Sequence, residues 1–104
     1  MKKILIISGI ATFCLNTPVI ADGLENAKKA GCLSCHAVDR MIVGPSFKDV
    51  AAKYKGGTDA KTKLIKKVKG GGSGVWGKMR MPANLGKMTD EEYEVTVVWI
   101  LSLE

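Results

Sequence analysis

Two cysteines and the chain's only histidine fall within five consecutive residues, Cys32-Leu33-Ser34-Cys35-His36, and no other feature limits its folding as much. Cysteines one helical turn apart can each form a thioether to a vinyl group on the same edge of one macrocycle, while the adjacent histidine is thrown beneath the metal. C-x-x-C-H is the attachment signature of c-type haem. The competing reading, a disulfide or thioredoxin-like redox pair, wants a strand and a βαβ context that the sequence lacks. A structural zinc site wants four soft or imidazole ligands, and these three residues are all the exported chain would offer. One covalently bound haem c, with its iron, is the expected cofactor.

The remaining cysteine, Cys14, belongs to a different part of the chain. Lys2 and Lys3 precede an apolar run from Ile4 to Leu15, followed by Pro18 and by Val19-Ile20-Ala21. That order is a secretory signal peptide over residues 1–21, cleaved after Ala21, and the run falls well short of the roughly 20 apolar residues a bilayer span needs. Cys14 is then an apolar filler that is discarded. Of 104 residues, 83 remain, residues 22–104, and with Lys2 and Lys3 gone 14 basic side chains face 10 acidic ones. A chain this short forms one small domain, and it buries too little surface to be comfortable without an added staple or cofactor. Export is expected, with no stable membrane insertion and no nucleic-acid partner.

Apolar residues recur at helical rather than alternating spacing, so the fold class is all-α. Leu24, Ala27 and Gly31 form a short stripe over residues 23–32. Ser46-x-x-Asp49 resembles a capping box and starts a second helix with Phe47, Val50, Ala51 and Tyr54 on one face, stopped by Gly56-Gly57. Thr58 or Asp59 can cap a third helix, apolar at Leu64, Ile65 and Val68 and ended by Gly70-Gly71-Gly72. Thr89-Asp90-Glu91-Glu92 is a capping box with three acids in the positive first turn, ahead of Tyr93, Val97, Ile100 and Leu101. Four short helices wrapped around the haem are expected. The glycines of residues 70–74 lack the Gly-Lys-Ser/Thr ending and the preceding strand of a phosphate loop.

With His36 the sole histidine, bis-histidine ligation within one chain is impossible. The second axial position falls to methionine, lysine, a weak oxygen ligand or nothing, and methionine with histidine raises the reduction potential of cytochromes c. Met41 is only five residues beyond His36 and is expected to pack. Met81 is preferred, because Pro82 stiffens the segment around it and residues 76–87 are far enough along the chain to form the opposite wall. Met79 is expected to point the other way, and Met79 and Met88 to fill apolar gaps.

Cys32-Leu33-Ser34-Cys35-His36, Val43-Gly44-Pro45, Lys48-Asp49-Val50-Ala51-Ala52-Lys53-Tyr54, Gly74-Val75-Trp76-Gly77 and Met81-Pro82 together resemble the small class I monohaem cytochromes c of bacterial periplasms, of the denitrifier and ammonia-oxidiser type. The resemblance covers essentially all of residues 22–104 and implies the cytochrome c fold. It implies that the Pro45 carbonyl accepts from the second ring nitrogen of His36, that Trp76 donates its indole N–H to a haem propionate, and that Asn84 donates to the sulfur of Met81. Lys67 stands where the family often has an arginine near a propionate. Met79-Arg80-Met81-Pro82-Ala83 departs from a pattern usually richer in proline.

With both axial positions filled by protein, the expected chemistry is one-electron change at iron: an electron carrier rather than an enzyme, with a positive potential. Phe47, Trp76, Trp99 and the aliphatic residues are expected to pack on the haem. The resemblance suggests a monomer shuttling electrons from a quinol-oxidising complex to a nitrite reductase or a terminal oxidase. Seven lysines lie between Lys53 and Lys69 with Asp59 the sole acid among them, which suits either a solvated helix face or a basic ring steering acidic partners. Two other classes stay open: a haem sensor or peroxidase-like protein with a labile methionine ligand, and a thiol or Cu(I) binder using Cys32, Cys35, Met79 and Met81.

Overall fold

The computed structural model describes residues 19–104. The expected leader, residues 1–21, lies outside the described residues except for its last three positions, which open the first helix. Four α-helices follow in order: α1 (Val19–Lys29), α2 (Phe47–Tyr54), α3 (Ala60–Gly70) and α4 (Asp90–Leu101), with a short 3-10 turn at Cys32–Ser34 between the first two. Among the described residues, extended pairing is confined to two isolated bridges, His36 with Met41 and Gly72 with Met81.

The helix boundaries follow local chemistry where a side chain supplies it. Ser46 Oγ accepts the Asp49 N–H at 3.0 Å and so caps α2. Thr89 and Glu92 cap α4 reciprocally, Thr89 N–H to Glu92 Oε1 at 2.9 Å and Glu92 N–H to Thr89 Oγ1 at 3.1 Å, satisfying two N–H groups that the helix leaves open. The start of α3 differs from expectation. Asp59 occupies the cap position but in a left-handed conformation, φ 58°, and its side chain makes no cap hydrogen bond. The first helix also stops earlier than its stripe suggests. Gly31 turns left-handed at φ 83° instead of continuing the apolar face, and the cysteine motif starts afresh after it.

Helix α4 is the central element, packed against α1, α2 and α3. The core joins Ala27 of α1, Phe47 and Val50 of α2, Leu64 of α3, and Val97, Trp99 and Ile100 of α4. Trp99, 2% exposed, meets Phe47 edge-on with ring centroids 5.3 Å apart. Polar ties reinforce the α3–α4 contact. Lys61 Nζ lies 2.9 Å from Glu94 Oε1 and Lys69 Nζ 3.2 Å from Asp90 Oδ1, with Lys69 also 5.0 Å from the centre of the Tyr93 ring. Exposed pairs of this kind are each worth only about 0.2–1 kcal/mol.

Candidate functional site

The cysteine motif forms one compact turn. The N–H groups of Cys35 and His36 both donate to the Cys32 carbonyl, at 3.2 and 3.0 Å. The Cys35 carbonyl accepts in turn from Val43 and Gly44, at 3.1 and 2.7 Å, which folds residues 41–45 back over the motif. This return brings Pro45 to His36: Nδ1 lies 2.7 Å from the Pro45 carbonyl oxygen. A carbonyl only accepts, so this contact places the proton on Nδ1 and leaves Nε2 with the lone pair. Two neighbours hold the ring plane. Phe47 stacks on it at 5.1 Å and 18°, and a Cβ on Gly44 would lie 2.7 Å from His36 Cε1. Only a glycine lets the backbone run that close.

A cavity of about 210 Å³ opens in front of this assembly. Its walls are mainly apolar, with Phe47, Val50, Leu64, Val68, Val97 and Ile100 among them, joined by Cys35, His36 and Pro45 on one side of the sequence and Trp76 and Met81 on the other. The Met81 segment is fastened to the end of α3. Met81 N–H donates to the Gly72 carbonyl at 2.8 Å and Gly72 N–H returns the bond at 3.0 Å. Gly71, at φ 69°, packs so closely that an added Cβ would come within 2.3 Å of the Met81 carbonyl oxygen. Asn84, 8% exposed, locks the far end. Its side-chain amide donates to the carbonyls of Val68 (3.2 Å) and Pro82 (3.3 Å), and the Asn84 backbone carbonyl accepts from the Tyr93 hydroxyl.

The structure thus gathers Cys35, His36, Pro45, Trp76 and Met81 around one cavity, while Cys32 sits half-buried beside the core and Asn84 lies behind the Met81 segment. Both Asn84 amide hydrogens are directed to backbone carbonyls rather than to the Met81 sulfur. Burial pushes the Cys32 thiol up from its ordinary value, opposed in part by the charge of Lys87. Met79 does not point away from the site. It lines the same cavity as Met81, as does Arg80 between them, so this stretch runs along the cavity edge rather than alternating in and out of it. Met41 is a cavity-rim residue, 67% exposed, rather than packing. Met88 is turned elsewhere, its sulfur 3.5 Å from Thr96 Oγ1. Trp99 is also not a cavity residue; it stands behind Phe47 against the core. Trp76 sits on the rim, 44% exposed, with Lys53 Nζ 5.7 Å from its ring centre. Lys67 and Arg80 line the cavity too. Sequence reasoning placed Phe47 on the haem and Gly44 in the motif beside Pro45, but missed that Phe47 stacks on His36, that Gly44 runs against its ring and that Gly71 packs on the Met81 backbone. Each is recognisable only once another part of the chain is packed against it.

An apolar cleft in a helical domain, with C-x-x-C-H on its wall and an imidazole nitrogen left free, is the architecture of small haem proteins with a covalently attached cofactor. Residues 20–104 match the sequence profile of the cytochrome c family, and the chain belongs to that family. It is 47% identical over 78 residues to cytochrome c-552 of Nitrosomonas europaea, covering 75% of each chain. It is 44% identical over 75 residues to cytochrome c-551 of Pseudomonas aeruginosa, covering 72% of this chain and 70% of that one. The crystal structure of the Nitrosomonas europaea cytochrome superposes with a TM-score of 0.73 at 46% identity, over 78% of this chain and 99% of the other. The class 1 cytochrome MtoD of Sideroxydans lithotrophicus superposes with a TM-score of 0.71 at 35% identity, over 80% and 94%. This is accordingly an electron-transfer protein rather than an enzyme, and it carries one covalently bound haem c. The residues of the cavity fit that group: apolar walls for the macrocycle, a free imidazole nitrogen and thioether sulfur, and cationic side chains at the rim.

Proposed function

We propose that the mature chain, residues 22–104, is a periplasmic one-electron carrier whose haem is joined to Cys32 and Cys35 and whose iron is held by His36 and Met81. When bound, that group supplies a change of one electron between ferric and ferrous iron. The observation that carries the reading is the 2.7 Å contact between His36 Nδ1 and the Pro45 carbonyl, on the cavity that Met81 also lines. The carbonyl fixes the imidazole tautomer, Phe47 and Gly44 fix its plane, and the Gly72 bridge fixes the backbone of Met81. Ligands held this way change little between oxidation states. Apolar walls and a thioether disfavour the extra positive charge of the ferric state, so the potential is positive.

At the rim, Trp76 has an indole N–H and Lys67 and Arg80 have charged donors for the propionates, while Asn84 keeps the Met81 segment seated through its backbone. Donor and acceptor are a quinol-oxidising complex and a nitrite reductase or terminal oxidase, reached by a monomer. No helix among the described residues is long and apolar enough to cross a membrane, which suits a shuttle.

A pyridine haemochrome assay on the periplasmic fraction is expected to return one haem c per chain. The ferric protein is expected to show the sulfur-to-iron charge-transfer band. Absence of the band in the unaltered protein, with ready carbon monoxide binding by the ferrous form, would replace the carrier with a sensor or peroxidase-like protein.

A further inference from the structure

The loop that carries Met81 carries a second thioether two residues earlier, on the same cavity. Met79 and Met81 both line the cavity, but their commitments differ: Met79 is 69% exposed, whereas Met81 is partly buried. The backbone of Met81 itself is held by one bridge to Gly72, two hydrogen bonds of 2.8 and 3.0 Å, and the next residue by the Asn84 side-chain amide on the Pro82 carbonyl at 3.3 Å. Upstream, Gly74 N–H donates to the Gly77 carbonyl at 2.8 Å, and among the described residues no backbone hydrogen bond ties residues 78–80 to the rest of the fold. Downstream, Asn84 N–H is anchored to the carbonyls of Val68 and Lys69 at 3.1 and 3.2 Å.

A shift of this segment by one residue would put Arg80 where Met81 stands. A shift by two, roughly 6.6 Å of extended chain, keeps the face and substitutes one methionine for the other. The slip gives up the Asn84 side-chain bond to the Pro82 carbonyl, and nothing in the backbone pairing with Gly72 blocks it. Met79 has the N–H and C=O that the Gly72 bridge requires, and the only proline in the segment, Pro82, lies beyond both methionines. The loop closed by the bridge would shorten from residues 73–80 to residues 73–78, around Gly74 and Gly77, which already stand at φ 102° and 116°. The released residues would become slack ahead of Asn84.

We infer that Met79 is a second thioether ligand position for the same iron, presented by a two-residue slip along Gly72 when Met81 is withdrawn. This rests on the His36/Met81 reading above. The test compares the holoproteins of the unaltered chain, Met79→Leu, Met81→Leu and Met79→Leu/Met81→Leu by ferric absorption, by the ring-shifted methionine methyl signal of the ferrous protein in NMR, and by thermal melting. Met79→Leu alone is expected to leave band and methyl signal unchanged. Met81→Leu is expected to keep most of the band and a shifted methyl signal, and the double variant to lose both and melt earlier. A Met81→Leu protein as bandless and as easily melted as the double variant overturns the inference, whether its iron is open or captured by a nitrogen such as that of Lys78. Loss of the band in Met79→Leu, with Met81→Leu unaffected, overturns instead the choice of Met81 as the resting ligand.

Discussion

At Gly44 the backbone runs along the face of the imidazole, so close that a methyl group would sit 2.7 Å from Cε1. Gly44→Ala therefore has to push the ring off its Pro45 contact or push residues 41–45 away. Overpacking of this kind costs about 1–3 kcal/mol. The expected outcome is a lower midpoint in guanidinium unfolding together with altered hyperfine shifts of the ferric protein, the second showing that the ring itself has moved. Met79 illustrates the same scale from the sequence side. A strictly alternating segment would put only every second residue on the cavity, yet Met79, Arg80 and Met81 all line it, so no count from Met81 could have placed it.

The helices separate by whether their ends are settled locally. Thr89 and Glu92 form their reciprocal bonds within one turn, and such a pair is readable wherever the residues occur in that order. Thr89→Ala is expected to cost about 1 kcal/mol, within 0.5–2, seen as a lower melting temperature with the ferric spectrum unchanged, since the cap is remote from the cavity. The cap of α2 was equally legible at Ser46. Asp59 was not: its left-handed backbone depends on the turn from Gly57 into α3, and with that geometry the side chain misses the helix N–H groups it was expected to cap. Asn84 and Trp99 escaped for a related reason. Their partners, Val68 and Phe47, are 16 and 52 positions away in the chain, and no local pattern encodes which carbonyl or ring will be met.

For the molecule as a whole, the cavity removes apolar surface from any core the chain could form alone. Phe47, Val50, Leu64, Val68, Val97 and Ile100 all face it, so the group they surround is part of the packed interior. A Cys32→Ala/Cys35→Ala chain, unable to keep that group, is expected to be mostly unfolded. Far-UV circular dichroism checks this, and a cooperative native-like helical melt would count against it. The charge pattern is likewise a property of the whole. Of the seven lysines between Lys53 and Lys69, Lys61 and Lys69 pair with α4 and Lys55 donates to the Leu103 carbonyl, whereas Lys53 stands over Trp76 and Lys67 lines the cavity. If the cavity-side cations steer acidic partners, the rate of electron exchange with the physiological partner falls as salt rises. A flat stopped-flow response to ionic strength leaves them as solvated surface.

Three aromatic rings run in file from the cavity-side imidazole into the core: His36 flat on Phe47, and Phe47 edge-on to Trp99. Rings in such contact do not tilt independently. A cavity cut beneath Trp99 would therefore register at the far end of the file as a rotation of the His36 ring, and with His36 on the iron as proposed the paramagnetic spectrum becomes a gauge of how well the helices behind it are seated.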